Sequence, residues 1–265
     1  MEPTSRRVRL DQLLVARGLA ETRARAQALI LAGRVSCAGK PAAKAGALVA
    51  HDAPVEIASA PAYVSRAGPK LAEALRAFSV NAGGRLALDV GASTGGFTDA
   101  LLEAGAARVV ALDVGRGQLD WTLRNDPRVV PLEGVNARYL APDALPFRPT
   151  LAVVDVSFIS LEQVLPAVAD CLEPGGEIVA LVKPQFEVGR ARVGRGGIVR
   201  DPALHREVLL RIAAFATGRG WGVRGVARSV VRGATGNVEF FLHMTPGVPG
   251  LAEDEIRART EAVMA

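Results

Sequence analysis

From residue 86 onward the chain alternates two hydrophobic patterns, and that alternation limits its fold more than any other feature. Short, almost unbroken apolar runs occupy 86–89, 109–113, 129–132, 151–155, 178–182, 221–226 and 238–242. Between them, 95–104, 161–172 and 203–218 place apolar residues three to four apart, the period of an amphipathic helix. Apolar runs without polar alternation predict strands covered on both faces, as in a parallel sheet flanked by helices. Asp201 and Pro202 cap and open the last helix. A further helix is expected over 70–78, ahead of the first strand. The fold class is therefore α/β, a doubly wound and mostly parallel sheet. Ligands of such sheets bind outside the carboxyl ends of the strands, so residues there carry functional weight.

The first quarter follows a different pattern. Leu10, Leu13 and Leu14, then Ala26, Leu29 and Ile30, predict two short helices, the first stopping near Gly18 and the second capped by Thr22. Short strands are expected over 33–36 and 49–57, around a turn at 38–41. Residues 1–60 hold nine Arg and Lys against five Asp and Glu, whereas 61–265 hold 23 against 22. Nearly all of the net charge of +5 thus belongs to a small α+β module, which suits contact with a polyanion, nucleic acid above all. The cations for that contact are Arg6, Arg7, Arg23, Arg25, Arg34, Lys40 and Lys44. The organisation expected is a module over 6–60, a linker over 61–65, the sheet domain over 66–247 and a helical tail over 248–265.

Other classes find little support. Cys37 and Cys171 lie far apart without metal-ligand spacing, and three histidines are too scattered for a metal cluster. No run approaches 18 apolar residues, and the first residues have no apolar core of a signal peptide. A cytoplasmic, metal-free protein is expected, with a monomer as the default.

The first strand runs into Asp89-Val-Gly91-Ala-Ser93-Thr-Gly95-Gly96-Phe97-Thr98. Glycines between a strand and a helix N-terminus let a ligand approach the backbone closely. Asp113 ends the second strand 22 residues beyond Gly91, where a carboxylate can accept both hydroxyls of a ribose. A dinucleotide site wants GxGxxG, but this loop reads GxSxGG and follows a carboxylate that would repel a pyrophosphate. S-adenosylmethionine, with ribose hydroxyls, an amino group and no phosphate, suits the loop better.

Four charged residues fall at the ends of elements around this loop: Lys70, Asp155, Lys183 and Glu239. Only four of the 32 basic residues are lysine, the others being Lys40 and Lys44. Lysine, unlike arginine, can lose its proton and act as a base. Two structural ion pairs, Lys70–Glu239 and Lys183–Asp155, would also explain acids within apolar strands. If the four residues are catalytic, Lys183 is the candidate base, and Lys70 beside it would disfavour its protonated form. The segment 186–200 carries Arg190, Arg192 and Arg195 among glycines, either a flexible arm along a phosphate backbone or a solvated loop.

These residues carry a resemblance. The segment RLDQLLVARGLAETRARAQALILAGRVSCAGK resembles the S4 RNA-binding domain, which grips folded RNA by phosphates and shape. The pattern D-x-G-x-x-x-G-G-F is similar to the first motif of Rossmann-like methyltransferases, and by that analogy Asn136 contacts the adenine. The order Lys-Asp-Lys-Glu resembles the tetrad of FtsJ-like ribose 2′-O-methyltransferases. With SRAGPKL, DVGASTGGFTD, DVSFISL, LVKPQFE and GNVEFFL, the whole chain resembles the TlyA family. The resemblance implies a Rossmann-like class I methyltransferase domain behind an S4 domain. It implies S-adenosylmethionine as cofactor and ribosomal RNA, within ribosomal subunits, as partner. It further implies methylation of cytidine ribose 2′-oxygens, catalysed by Lys70, Asp155, Lys183 and Glu239. A haemolysin acting on membranes is the alternative suggested by the family's historical name; it would need an apolar span or a strongly amphipathic basic helix.

Overall fold

The computed structural model describes residues 7–31, 33–42, 44–58 and 62–264, and it divides into two compact units, Met1–Pro61 and Ala62–Ala265. The first unit contains β1 (Arg7–Arg9), α1 (Leu10–Ala16), α2 (Arg23–Leu31), β2 (Val35–Cys37), β3 (Lys40–Pro41), β4 (Leu48–Ala50) and β5 (Val55–Ile57). The helices bury Leu10, Leu14, Ala26, Leu29 and Ile30 against Val35. Thr22 caps α2 by accepting from the Arg25 N–H at 3.1 Å. The expected strand over 49–57 is instead two strands in different sheets. β4 pairs with β1, while β5 pairs with β2. A turn closed by Ala53 N–H on the Ala50 carbonyl at 3.0 Å separates them, and Pro54, which lacks an N–H, follows it.

The second unit begins with α3 (Ala67–Ala77), followed by β6 (Leu86–Val90), α4 (Gly96–Glu103), β7 (Arg108–Asp113), α5 (Trp121–Arg124) and β8 (Val129–Glu133). β9 (Leu151–Val154), α6 (Leu161–Cys171), β10 (Glu177–Val182), α7 (Pro184–Glu187) and α8 (Pro202–Gly218) continue it. β11 (Trp221–Arg228), β12 (Phe240–Pro246) and α9 (Glu253–Ala262) complete it. Its described residues form a seven-stranded sheet in the order β11-β12-β10-β9-β6-β7-β8. Pairing is parallel from β10 to β8, and β12 runs antiparallel to both of its neighbours. The doubly wound α/β expectation therefore holds.

Side-chain parity divides the core. Ala87, Val109, Val153, Leu181 and Phe241 face Leu71 and Leu75 of α3 and Phe97 and Leu101 of α4. Leu88, Val110, Val154, Ala180, Phe240 and Leu242 face α6 and α8 on the opposite side. α9 buries Ile256 into this second layer, so residues expected as a tail form part of its wall. Among the described residues no helix is long and apolar enough to cross a membrane.

Candidate active site

The strand order reverses between β6 and β9, which opens a crevice at their carboxyl ends. Gly91 lies there at φ +88°, and a Cβ on it would stand 2.5 Å from the Asp155 carbonyl oxygen. Only glycine lets the loop after β6 pass so close to the end of β9. Gly95, at φ +95°, caps α4, and a Cβ there would meet Leu123 at 2.3 Å. Next to it, a Cβ on Gly96 would meet the Ser65 hydroxyl at 2.1 Å.

A cavity of about 380 Å³ fills the crevice. Of the residues expected to bind a cofactor, Gly91, Ser93, Asp113 and Asn136 line it. Asp113 already accepts the Ser93 and Gly115 N–H groups, each at 2.7 Å, leaving further lone pairs for a diol. Asn136 caps the short turn at 137–139 through the Arg138 N–H at 3.0 Å. The wall also includes Gln118 and the segment 156–159, which motif reading missed. Gln118 had no signal beyond its nearness to Asp113, whereas 156–159 lie within the DVSFISL motif without having been assigned a contact.

Four expected contacts are not part of the lining: Gly95 and Gly96 shape the loop and the start of α4, and Phe97 and Asp89 point away from the cavity. Phe97 is a core residue, packed on Phe241 with ring centroids 6.1 Å apart, because helical geometry turns it inward from the start of α4. Asp89 has no exposed surface and lies outside the cavity lining, since strand parity points it at α4. Its Oδ2 accepts the Thr98 hydroxyl at 2.7 Å, and its Oδ1 has no hydrogen-bond partner in the described structure. Burial raises this carboxyl to about 7; the Thr98 hydroxyl opposes the shift, and the Asp155 charge adds to it. An orphaned, buried acceptor beneath the loop is a chemical fit for a cationic ligand group above it.

The same parity that turns Asp89 toward α4 brings the four charged residues to the α3 side. Lys70 lies within α3 rather than at its start, where it is buried, and its Nζ donates to Glu239 Oε2 at 2.6 Å. Glu239 is also buried and immediately precedes β12 instead of lying in it. Its Oε1 accepts from Gln185 Nε2 at 3.2 Å. Lys183 follows β10 and approaches Asp155 Oδ1 at 2.5 Å, an ion pair by distance that lacks hydrogen-bond alignment. The aligned bond from Lys183 Nζ goes to Ser157 Oγ at 2.9 Å. Each lysine thus has its own carboxylate partner, as in the ion-pair alternative. Asp155 is both a wall of the cavity and the partner of Lys183.

Two aromatic rings stand beside this edge. Phe158 is 90% exposed at φ +64°, a conformation that costs a bulky residue energy, and its ring lies 4.8 Å from that of Phe186. Lys183 Nζ lies 5.8 Å from the Phe186 ring centroid.

The expected RNA-contacting cations separate into free and committed groups. Arg6 lies outside the described residues. Arg7, Arg25, Lys40 and Lys44 are exposed. Arg23 donates to the buried carboxylate of Asp11 at 2.9 Å, and Arg34 donates twice to the Ala58 carbonyl. Arg190 and Arg195 are exposed, whereas Arg192 bonds both carboxylate oxygens of Glu207 and the Val188 carbonyl. The segment 186–200 is therefore an anchored loop, not a free arm. Asn237 holds it further by accepting from Val199 N–H at 2.9 Å and donating to the Gly197 carbonyl at 2.8 Å.

Comparison with known proteins agrees with this architecture. The family model for FtsJ-like methyltransferases matches residues 63–245, and that for the S4 domain matches residues 8–53. The 16S/23S rRNA (cytidine-2′-O)-methyltransferase TlyA of Mycobacterium tuberculosis is 52% identical over 240 residues, 90% of each chain. Hemolysin A of Brachyspira hyodysenteriae is 39% identical over 89% of this chain and 99% of its own. A solved structure from Streptococcus thermophilus that carries a hemolysin name is 40% identical, with a TM-score of 0.74 over 98% of this chain and 96% of that one.

Proposed function

The chain belongs to the TlyA family, an S4 domain ahead of an FtsJ-like methyltransferase domain, and on that premise we propose that it methylates the ribose 2′-oxygen of cytidine in ribosomal RNA, with S-adenosylmethionine as donor. One observation carries the reading: Asp155 joins the cavity at the β6–β9 crevice to Lys183, among the described residues the only lysine at a strand's carboxyl end. The donor pocket and the candidate base are thus one continuous structure.

Gly91 allows close approach at the crevice, Asp113 offers acceptors to ribose hydroxyls, Asn136 borders the adenine side, and the Asp89 charge lies under the loop. When bound there, S-adenosylmethionine supplies a methyl group on a positively charged sulfur. A ribose hydroxyl is a weak nucleophile and must lose its proton as its oxygen bonds to that carbon, the carbon–sulfur bond breaking with its electron pair left on a now neutral thioether. Lys183 in its neutral form accepts the proton at Nζ and passes it to solvent. Asp155 and Ser157 orient Nζ. The Lys70–Glu239 pair, tied to Gln185, braces the α3 side of the site. Phe158 offers an exposed face on which the target base can stack. Orientation of the two reactants accounts for much of the acceleration.

The test is tritium transfer from labelled S-adenosylmethionine to each purified ribosomal subunit from a strain lacking the gene, followed by mapping of the modified nucleotide. Label on a cytidine ribose is expected. Label on a base, or donor binding without transfer to either subunit, would refute the reading.

A further inference from the structure

A second cavity, of about 390 Å³, opens at the same carboxyl edge of the sheet but on its other face, between the start of α8, the end of β11 and the start of β12. Arg200, Arg228 and Arg232 converge on it, with Val238, Phe240 and the buried His205 among its other walls. Among the described residues no carboxylate lines it and none of the three arginines forms an ion pair; Arg232 donates one N–H to the Gly236 carbonyl at 3.2 Å. Three unneutralised guanidiniums on one concavity repel each other unless an anion shares the site.

The frame around them is fixed. Asn237, 1% exposed, bonds the loop at 229–239 to the segment at 194–200. Within that loop, Ser229 N–H donates to the Glu239 carbonyl at 2.9 Å and Gly233 N–H to the Asn237 carbonyl at 2.9 Å. His205 Nε2 donates to the Val199 carbonyl at 2.9 Å, because a carbonyl can only accept. Val238 and Phe240 face this cavity, while Glu239 between them turns to Lys70 on the other face. The arginine cavity therefore lies across one strand from the proposed reaction centre.

We infer that this cavity holds a nucleotide of the substrate RNA close to the target, its phosphate on the guanidiniums of Arg200, Arg228 and Arg232 and its apolar parts against Val238 and Phe240. The inference rests on the RNA-methyltransferase reading above and adds a substrate subsite to it. Guanidinium is the group of choice for phosphate oxygens, and the half-apolar lining suits a nucleotide better than an inorganic ion. A strand entering the active site with its ribose presented to Lys183 would have its neighbouring phosphate fixed here, which sets the strand's direction through the site.

The double variant Arg200→Gln, Arg228→Gln tests this with the whole chain. No hydrogen bond involving either side chain is present in the described structure, so the fold does not depend on them; the melting temperature and S-adenosylmethionine affinity should match wild type. With undermethylated ribosomal subunits as substrate, KM should rise about ten-fold or more while kcat changes little. The log–log salt dependence of RNA binding should become shallower by about one to two. Free cytidine 5′-monophosphate should compete only weakly with the subunits. Unchanged KM and salt slope in an active, folded variant would overturn the inference. So would strong competition by the free nucleotide that the variant abolishes without altering KM for the subunits, since that marks a mononucleotide site. Failure of the wild-type chain itself to methylate either subunit would instead refute the proposed function.

Discussion

Replacing Asp89 with asparagine should make the ligand-free protein relatively more stable at high pH and a poorer binder of the methyl donor. The wild-type carboxyl, fully buried, is raised from 3.8 to about 7, chiefly by desolvation. The folded chain therefore holds this proton more tightly than the unfolded chain does. The associated stabilisation is complete below pH 3.8 and is lost as pH rises through 7. Between pH 6 and pH 8 the loss is about 1.4 kcal/mol. In a unit of this size that corresponds to a change of about 3–6 °C in melting temperature. Asp89→Asn cannot ionise, yet its side-chain oxygen can still accept the Thr98 hydroxyl. The stability difference between variant and wild type should therefore move in the variant's favour by about 1.4 kcal/mol from pH 6 to pH 8. Thermal or urea unfolding of both proteins at the two pH values measures it, and taking the difference cancels every other titrating group. A difference that does not change with pH would refute the assignment of a buried, ionising carboxylate beneath the loop. Titration with S-adenosylmethionine at pH 8 should show the opposite preference, because the variant lacks the charge that offsets the donor's ammonium. Gained stability with lost binding is the expected pattern for a strained functional group.

Both Lys183→Ala and Lys183→Arg should nearly abolish methyl transfer while S-adenosylmethionine binding, measured by calorimetry, stays intact; near-normal turnover in Lys183→Arg would remove Lys183 as the base. Gly91→Ala puts a Cβ where the Asp155 carbonyl stands 2.5 Å away, at φ +88°. It should cost about 1–2 kcal/mol from the backbone alone, with a further loss of donor affinity as the end of β9 shifts; unfolding curves and titration report the two effects. In the S4 unit, hydrogen bonds from Arg9, Gln27 and Arg23 hold the Asp11 carboxyl well below the usual carboxylate range, against the effect of its burial. Its stabilisation is present above the usual carboxylate pKa and lost in acid, the reverse of Asp89. Asp11→Asn should weaken the unit by about 1–2 kcal/mol at neutral pH, read as reduced protection of α1 and α2 amides from hydrogen exchange.

Much of the second unit was legible because its signals are local. An apolar run such as 178–182 states its strand and burial on both faces, and Asp201 followed by Pro202 states where α8 begins. The glycines of the β6–α4 loop are fixed by backbone geometry that neighbouring residues reveal. Small segments were harder: β1 and β4 are three residues each, and only their pairing with one another makes them strands.

The sequence alone determined the layered α/β fold, the glycine loop at the first strand, and the places of Asp155 and Lys183 just beyond β9 and β10. These follow from hydrophobic period and local backbone preference, which act over a few residues. The tertiary structure decided that the two pairings the sequence offered only as an alternative do form, Lys70 with Glu239, 169 positions away, and Lys183 with Asp155. It also sent Phe97 into the core, closed Asp89 beneath its loop, committed Arg23 and Arg34 to their own unit, and gathered Arg200, Arg228 and Arg232 around one cavity. Each of these depends on which face of a strand or helix a side chain occupies and on what the neighbouring strands bring opposite it. Register and packing between distant segments set both, and no local pattern encodes them.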